Sequence, residues 1–251
     1  MPTAARPLTL VTGGSRGIGA ATAVHLAGLG HDVLVGYRSG RGEAQEVVAA
    51  AVARGARAIA VQGDVTDADD VDALFAAAGE LGPVTGLVAN AGLTAHLGDL
   101  ADTPVDVVRE VLDVNLFGVV LCARRAAQVM SRRRGGVGGA IVAVSSSAAT
   151  LGSPHEYVHY AAAKAGVDAL VVGLATELAT DGVRVNAVAP GLVRTGSHAG
   201  AGDAGRLERA TARVPMGRPG EPDEIAPAIA WLLGPEAGYC TGAVLRVAGG
   251  L

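Results

Sequence analysis

Short, almost unbroken apolar runs rich in β-branched residues alternate along the chain with longer Ala/Leu-rich stretches of helical period. The runs Leu8–Thr12, Asp32–Tyr37, Ala58–Gln62, Gly86–Ala89, Ala140–Val144, Val183–Ala189 and Ala243–Val247 predict strands. Most lack the in–out alternation of a half-exposed sheet, so they predict strands buried on both faces. The intervening stretches predict helices at Gly17–Leu29, Glu43–Arg54, Ala68–Ala78, Pro104–Arg132, Tyr157–Thr180 and Pro222–Leu233. This alternation implies right-handed crossovers and an α/β fold, a doubly wound parallel sheet of seven strands. No Pro/Ser-rich linker, charge block or internal repeat divides the chain, so residues 1–251 read as a single domain. Gly196–Arg213 breaks the regularity. It follows a strand end, where ligands bind in such sheets, and predicts a mobile substrate loop over about 195–213.

Composition narrows the partners. Half of the 251 residues are hydrophobic and 18% are charged, which excludes a disordered chain and leaves enough apolar surface for a core. A net charge of −4 offers no basic footprint for nucleic acid, and Arg132-Arg133-Arg134 reads as a solvated helix end. Two cysteines, Cys122 and Cys240, exclude a disulfide scaffold and make a reducing cytosol the default. Met1–Leu10 lacks a signal-peptide pattern, and the uncharged stretch Gly135–His155 is interrupted by glycine, serine and Pro154. The expectation is a soluble cytoplasmic protein with no membrane partner. His155 and His159 are four apart but have no third ligand, so no metal site is expected.

One count is more telling than these totals. The chain has nineteen arginines and a single lysine, Lys164. A lysine that survives where arginine otherwise replaces it marks a place that a guanidinium cannot fill, since the two cations differ in shape and acidity. Tyr160 lies four residues earlier, on the same face of the predicted helix. A free phenol, with a pKa near 10, is a poor acid–base group at neutrality. A neighbouring ammonium favours the phenolate and brings that pKa toward the working range. Farther upstream, the first strand runs into Thr12-Gly13-Gly14-Ser15-Arg16-Gly17-Ile18-Gly19 and then a helix. Such a turn lets backbone approach a pyrophosphate held at the helix N-terminus.

The spacing Gly13-x3-Gly17-x-Gly19 resembles the TGxxxGxG motif of the short-chain dehydrogenase/reductase family, and the resemblance runs along the whole chain. Asn90-Ala91-Gly92 resembles its NAG motif, Asn115 its helix asparagine, Tyr160-x3-Lys164 its YxxxK, and Pro190-Gly191 with Thr195 its PGxxxT segment. Three serines, Ser145-Ser146-Ser147, follow the fifth strand. Strand alternation sends Ser145 and Ser147 to one side and Ser146 to the other, which leaves two candidates. The family's thirteen-residue spacing to Tyr160 implies Ser147 as the hydroxyl that holds the substrate carbonyl, with Ser145 and Ser146 capping the sheet end. The resemblance implies a Rossmann fold and a catalytic set of Asn115, Ser147, Tyr160 and Lys164, with Asn115 distorting its helix and supporting a proton-relay water. It implies cofactor contacts from Gly13, Ser15, Arg16, Gly17, Ile18 and Gly19, and from Tyr37, Arg38 and Ser39 after the second strand. Asp64 and Val65, Asn90, Ala91 and Gly92, Tyr160 and Lys164, and Pro190, Gly191, Val193 and Thr195 complete that set.

An NAD enzyme usually places a carboxylate at the end of the second strand for the ribose 2′-hydroxyl. Here Tyr37 is followed by Arg38, and Arg16 in the glycine turn adds a second guanidinium, a pair suited to a 2′-phosphate. The expected cofactor is NADP(H), and the expected reaction interconverts a carbonyl and a secondary alcohol on a small molecule. A non-catalytic nucleotide-binding homologue and a 3-oxoacyl-carrier-protein reductase are the alternatives. Against the first stand four catalytic residue types at family spacing. For the second, Arg124, Arg125 and Arg132–Arg134 could dock an acidic carrier, but Asp181 sits where such reductases tend to be basic. A hydrolase lacks its GxSxG elbow here, and an extended epimerase lacks its TGxxGxxG spacing. Ala149, Leu151, His155, Tyr157 and His96 are expected to wall the substrate pocket. Apolar residues around most of the circumference of Pro104–Arg132 and Tyr157–Thr180 predict a homo-oligomer, a tetramer by the family resemblance.

Overall fold

A computed structural model describes residues 6–195 and 211–251. Seven strands form one parallel sheet in the order β3-β2-β1-β4-β5-β6-β7. They are β1 (Leu8–Thr12), β2 (Asp32–Tyr37), β3 (Ala58–Gln62), β4 (Val84–Ala89), β5 (Gly139–Val144), β6 (Val183–Pro190) and β7 (Val244–Val247). The five inner strands are buried almost throughout, while β3 is half-buried and β7 alternates, as edge strands do. Strand order reverses between β1 and β4, which opens a crevice at the carboxyl ends of the strands.

Helices cover both faces. One face carries α1 (Gly17–Gly28), α2 (Arg41–Val52) and the late helix α8 (Pro222–Leu233), which close over Val11, Val33, Val35, Val142 and Val188. The other carries α3 (Ala68–Leu81), α5 (Gly118–Met130) and α7 (Val158–Leu178), packed on Leu10, Leu34, Leu87, Ile141 and Val185, with α4 (Val105–Leu112) against α7. A short helix, α6 (Ala148–Leu151), follows β5. Arg184 on β6 ties the end of α8 down, its guanidinium donating to the carbonyls of Leu232, Leu233, Gly234 and Cys240. The first three are carbonyls at the helix end that the helix cannot satisfy itself.

One predicted helix changes. The stretch Pro104–Arg132 is not one helix: α4 and α5 are joined by a π turn at Asp113–Phe117, and Arg132–Arg134 forms a separate 3-10 turn. Among the described residues the helix long and apolar enough to cross a membrane is α7 with its following turn. It lies along β6 with Val167, Val171 and Ala175 buried. Of the expected substrate loop, residues 196–210 lie outside the described residues. At its far end Arg213 pairs with Glu156 and Val214 is buried.

Candidate active site

The glycine turn sits at the crevice, where β1 meets α1. Gly13 has φ +61, and a side chain there would strike the Ala91 backbone at 2.8 Å; one at Gly19 would strike the Gly13 carbonyl. Asn90 holds this turn shut. Its side-chain amide donates to the carbonyls of Thr12 and Gly13, both at 3.0 Å, while the Thr12 hydroxyl accepts from the N–H groups of Asn90 and Ala91. The first turn of α1 has no acidic residue and no side-chain cap, so its N–H groups face the crevice with Arg16 beside them. That arrangement fits the pyrophosphate of a dinucleotide. From the other side Thr195 approaches Gly17, its methyl 3.3 Å from where a Cβ would stand.

The crevice is lined by nearly all the residues expected of it: Gly13, Ser15, Arg16, Gly17, Ile18, Tyr37, Arg38, Ser39, Asp64, Val65, Asn90, Ala91, Gly92, Pro190, Gly191, Val193 and Thr195. Gly19 is the exception, serving beneath the turn. Thr12, Leu93 and Thr94 also line it. Thr12 opens the TGxxxGxG motif, whereas Leu93 and Thr94 follow the NAG motif and no spacing marks them. At the far end the Arg38 guanidinium stands 3.7 Å from the Asp64 carboxylate. Burial alone would raise the Asp64 pKa, but hydrogen bonds from Thr66 and the Arg38 charge outweigh it and hold the carboxyl below its ordinary value.

Tyr160 and Lys164 enter the same crevice from α7, with the ammonium 5.7 Å from the phenol ring centre. The lysine is 3% exposed and donates to the Val144 carbonyl at 2.7 Å. Burial brings its pKa down to about 8, against the pull of the Asp168 carboxylate. The Tyr160 ring is steadied edge-on by Tyr157, centroids 5.2 Å apart. Asn115 is fully buried inside the π turn. Its side-chain amide donates to the Leu93 carbonyl (2.8 Å) and to that of Val111 (2.9 Å), the acceptor a regular helix would give to the Asn115 backbone. Its Oδ1 accepts from the Leu93 N–H at 3.2 Å. Asn115 and Lys164 converge at Gly92, where a Cβ would lie 2.8 Å from Asn115 Oδ1 and 3.7 Å from Lys164 Nζ.

The serines are placed differently from the spacing argument. Ser145 and Ser146 line the crevice and Ser147 does not. Ser145 and Ser147 carry the β5 ladder onward, their N–H groups donating to the Val188 and Pro190 carbonyls at 2.7 and 2.8 Å. Ser147 then opens α6 with its side chain buried. Ser146, between them, accepts from the Ala148 N–H at 3.1 Å. The spacing counts through α6 and the loop before α7, where Gly152, Ser153 and His155 all have positive φ.

The histidines go separate ways. His155 pairs with Asp99 at 2.7 Å near the surface, and buried His159 reaches the Ala95 carbonyl at 3.2 Å. Among the described residues no three His, Cys, Asp or Glu side chains gather as metal ligands.

A family model described as enoyl-(acyl carrier protein) reductase matches residues 13–251. The chain is 44% identical over 244 residues to the uncharacterized oxidoreductase YgfF of Escherichia coli K12, covering 97% of this chain and 99% of that one. It is 43% identical to L-rhamnose 1-dehydrogenase (NAD(P)(+)) of a Sphingomonas species, covering 96% of this chain and 94% of that one. The crystal structure of a dehydrogenase/reductase from Sinorhizobium meliloti superposes with a TM-score of 0.90 at 35% identity, over 99% of this chain and 96% of that one. These relatives are oxidoreductases, and the described seven-stranded sheet is the Rossmann-type sheet they share. The chain belongs to the short-chain dehydrogenase/reductase family.

Proposed function

We propose that the protein is an NADP(H)-dependent oxidoreductase that interconverts a carbonyl and a secondary alcohol on a small molecule. One observation supports this most: the only lysine is buried four residues from Tyr160, in the crevice that also holds the glycine turn and Asn115. When bound, the nicotinamide supplies or takes the hydride. Tyr160 gives its phenolic proton to the carbonyl oxygen in reduction and recovers it in oxidation. Lys164, charged below pH about 8, stabilises the phenolate in between. Asn115 fixes the loop at Leu93 and supports the path by which the proton returns to solvent.

Ser146 takes the role that spacing gave to Ser147. The Ser146 oxygen already accepts from Ala148, which leaves its hydrogen to donate to the substrate oxygen. Loss of such a donor costs roughly 10²–10³ in kcat. Ser146→Ala should show that loss and Ser147→Ala should stay within a few-fold of wild type; the reverse pattern would return the role to Ser147. Purified protein with NADPH and a panel of ketones, followed at the cofactor absorbance, tests the enzyme against the non-catalytic reading. Absence of turnover alongside NADPH binding would favour the latter.

The carrier-protein alternative gains little from the arginine face. Arg125 is neutralised by Asp72 at 2.9 Å and Arg133 by Asp181 at 3.2 Å. As to assembly, Val105, Phe117 and Val172 stand exposed on α4, the π turn and α7, and Met216, Trp231, Tyr239 and Val244 stand exposed elsewhere. Exposed apolar side chains on these separate elements suit a tetramer built on two interfaces. Light scattering should give a mass near four times the 24.8 kDa chain; a monomer would overturn this.

A further inference from the structure

The helix that follows the three serines is too short to hold itself in place. α6 has four residues, and a single turn gains little from its own hydrogen bonds. Behind it, Gly152, Ser153 and His155 all have positive φ, so no regular element steadies that end. In front, the Ser147 N–H is tied to the Pro190 carbonyl of β6 at 2.8 Å, and Ala148 packs against Tyr157 and Ala161. The far end of α6 is tied from β7. Arg246 stands beside Ala189 of β6 in the parallel register, one strand beyond the β5–β6 pair. Its guanidinium crosses β6 to donate to the Thr150 hydroxyl, and also donates to the Leu251 carbonyl at 3.0 Å. Thr150 passes the tie on, its hydroxyl donating to the Ser147 carbonyl at 3.2 Å. That carbonyl also accepts from the N–H groups of Thr150 and Leu151, at 3.2 and 3.1 Å.

We propose that Arg246 is a positioning residue: by fixing Thr150 it sets the tilt of α6, and with it the direction of the Ser146 hydroxyl. This rests on the proposed role of Ser146. The route from one to the other is short. Thr150 is tied to Ser147, which lies between Ser146 and Ala148. Those two are joined by the 3.1 Å bond from the Ala148 N–H to the Ser146 side-chain oxygen. The Ala149 N–H donates to the Ser146 carbonyl, also at 3.1 Å. A tilt of α6 about Ser147 therefore turns the Ser146 oxygen with it. Arg246 is exposed and lines no part of the crevice, so it acts through α6 and not on substrate or cofactor.

Arg246→Met tests this, since it keeps the aliphatic stem and removes the guanidinium. Amide hydrogen exchange across residues 146–152 should speed up by roughly tenfold, the size expected for losing a hydrogen bond from a charged donor. With it kcat should fall by roughly tenfold, less than the outright loss of the Ser146 hydroxyl, while NADPH affinity stays unchanged. In a Ser146→Ala background the same substitution should leave kcat where it is, because no hydroxyl remains to be misdirected. A merely structural role would lower kcat equally in both backgrounds. Arg246→Lys, which can still donate to Thr150, should restore most of the loss. Thr150→Val breaks the same tie and gives the same readouts if Arg246→Met does not fold. Unchanged exchange in a folded variant, an unchanged kcat, or an equal fall in both backgrounds overturns the proposal. If exchange speeds up while wild type turns over no carbonyl, or Ser146→Ala costs nothing, the proposed reaction or the serine assignment fails and the hold of Arg246 on α6 stands.

Discussion

Tyr160→Phe is expected to lower kcat by roughly 10²–10⁴ while leaving NADPH affinity near that of wild type. The size is that of a positioned general acid–base group. The phenyl ring keeps its edge-on contact with Tyr157 and its place above Lys164, so only the ionisable hydroxyl is lost. The defect should therefore fall in the chemical step, appearing equally in kcat and kcat/KM. Single-turnover kinetics with a cofactor-binding titration separate the two. Activity within a few-fold of wild type would remove Tyr160 from the mechanism. Lys164→Arg probes the same unit differently: a guanidinium keeps its proton far above pH 8 and does not fit a space sized for an ammonium donating to the Val144 carbonyl. Turnover by that variant would contradict the reading of the lone lysine.

Arg38→Asp is expected to reverse or abolish a preference for NADPH over NADH. The wild-type guanidinium is half-exposed at the crevice end, next to Ser39 and the Asp64 carboxylate. A charge-assisted contact to a 2′-phosphate is worth roughly 1.5–3 kcal/mol, and an aspartate replaces that attraction with a repulsion. The ratio of kcat/KM values should swing by roughly 10² or more, since each 1.4 kcal/mol is tenfold. Arg38→Gln should produce only part of the swing, because it removes the attraction alone. Equal kcat/KM with both cofactors in wild type would refute the preference and with it the reading of Arg16 and Arg38.

What the sequence discloses follows from how local each cause is. β1, β2, β3 and α8 begin and end where the pattern puts them, because apolar continuity marks the strands and Pro222 at the first position marks the helix. Ends set by backbone shape shift by a few residues. Left-handed Gly40 starts α2 two residues early, and α3 runs on to Leu81 before Gly82, at φ +143, stops it. The cofactor crevice is nearly all legible because its contacts cluster in short motifs at strand ends. Ser146 is not, since choosing among three serines needs the length of a loop rather than a motif.

The π turn at Asn115 has a consequence for phase. From Val111 to Met130 the buried positions run Val111, Val114 and Asn115, Gly118 and Val119, Cys122 and Ala123, Ala126, Met130. Five turns of a regular helix take about 18 residues, yet the chain spends 19 between its first and last buried positions on this stripe. The wide turn absorbs the extra residue. Without it, everything beyond would rotate by about 100°, and either the stripe of α5 would leave the sheet or Asn115 would leave the crevice. Core and active site thus share one clock along this segment, and the asparagine that serves the site is also the residue that keeps the core in time.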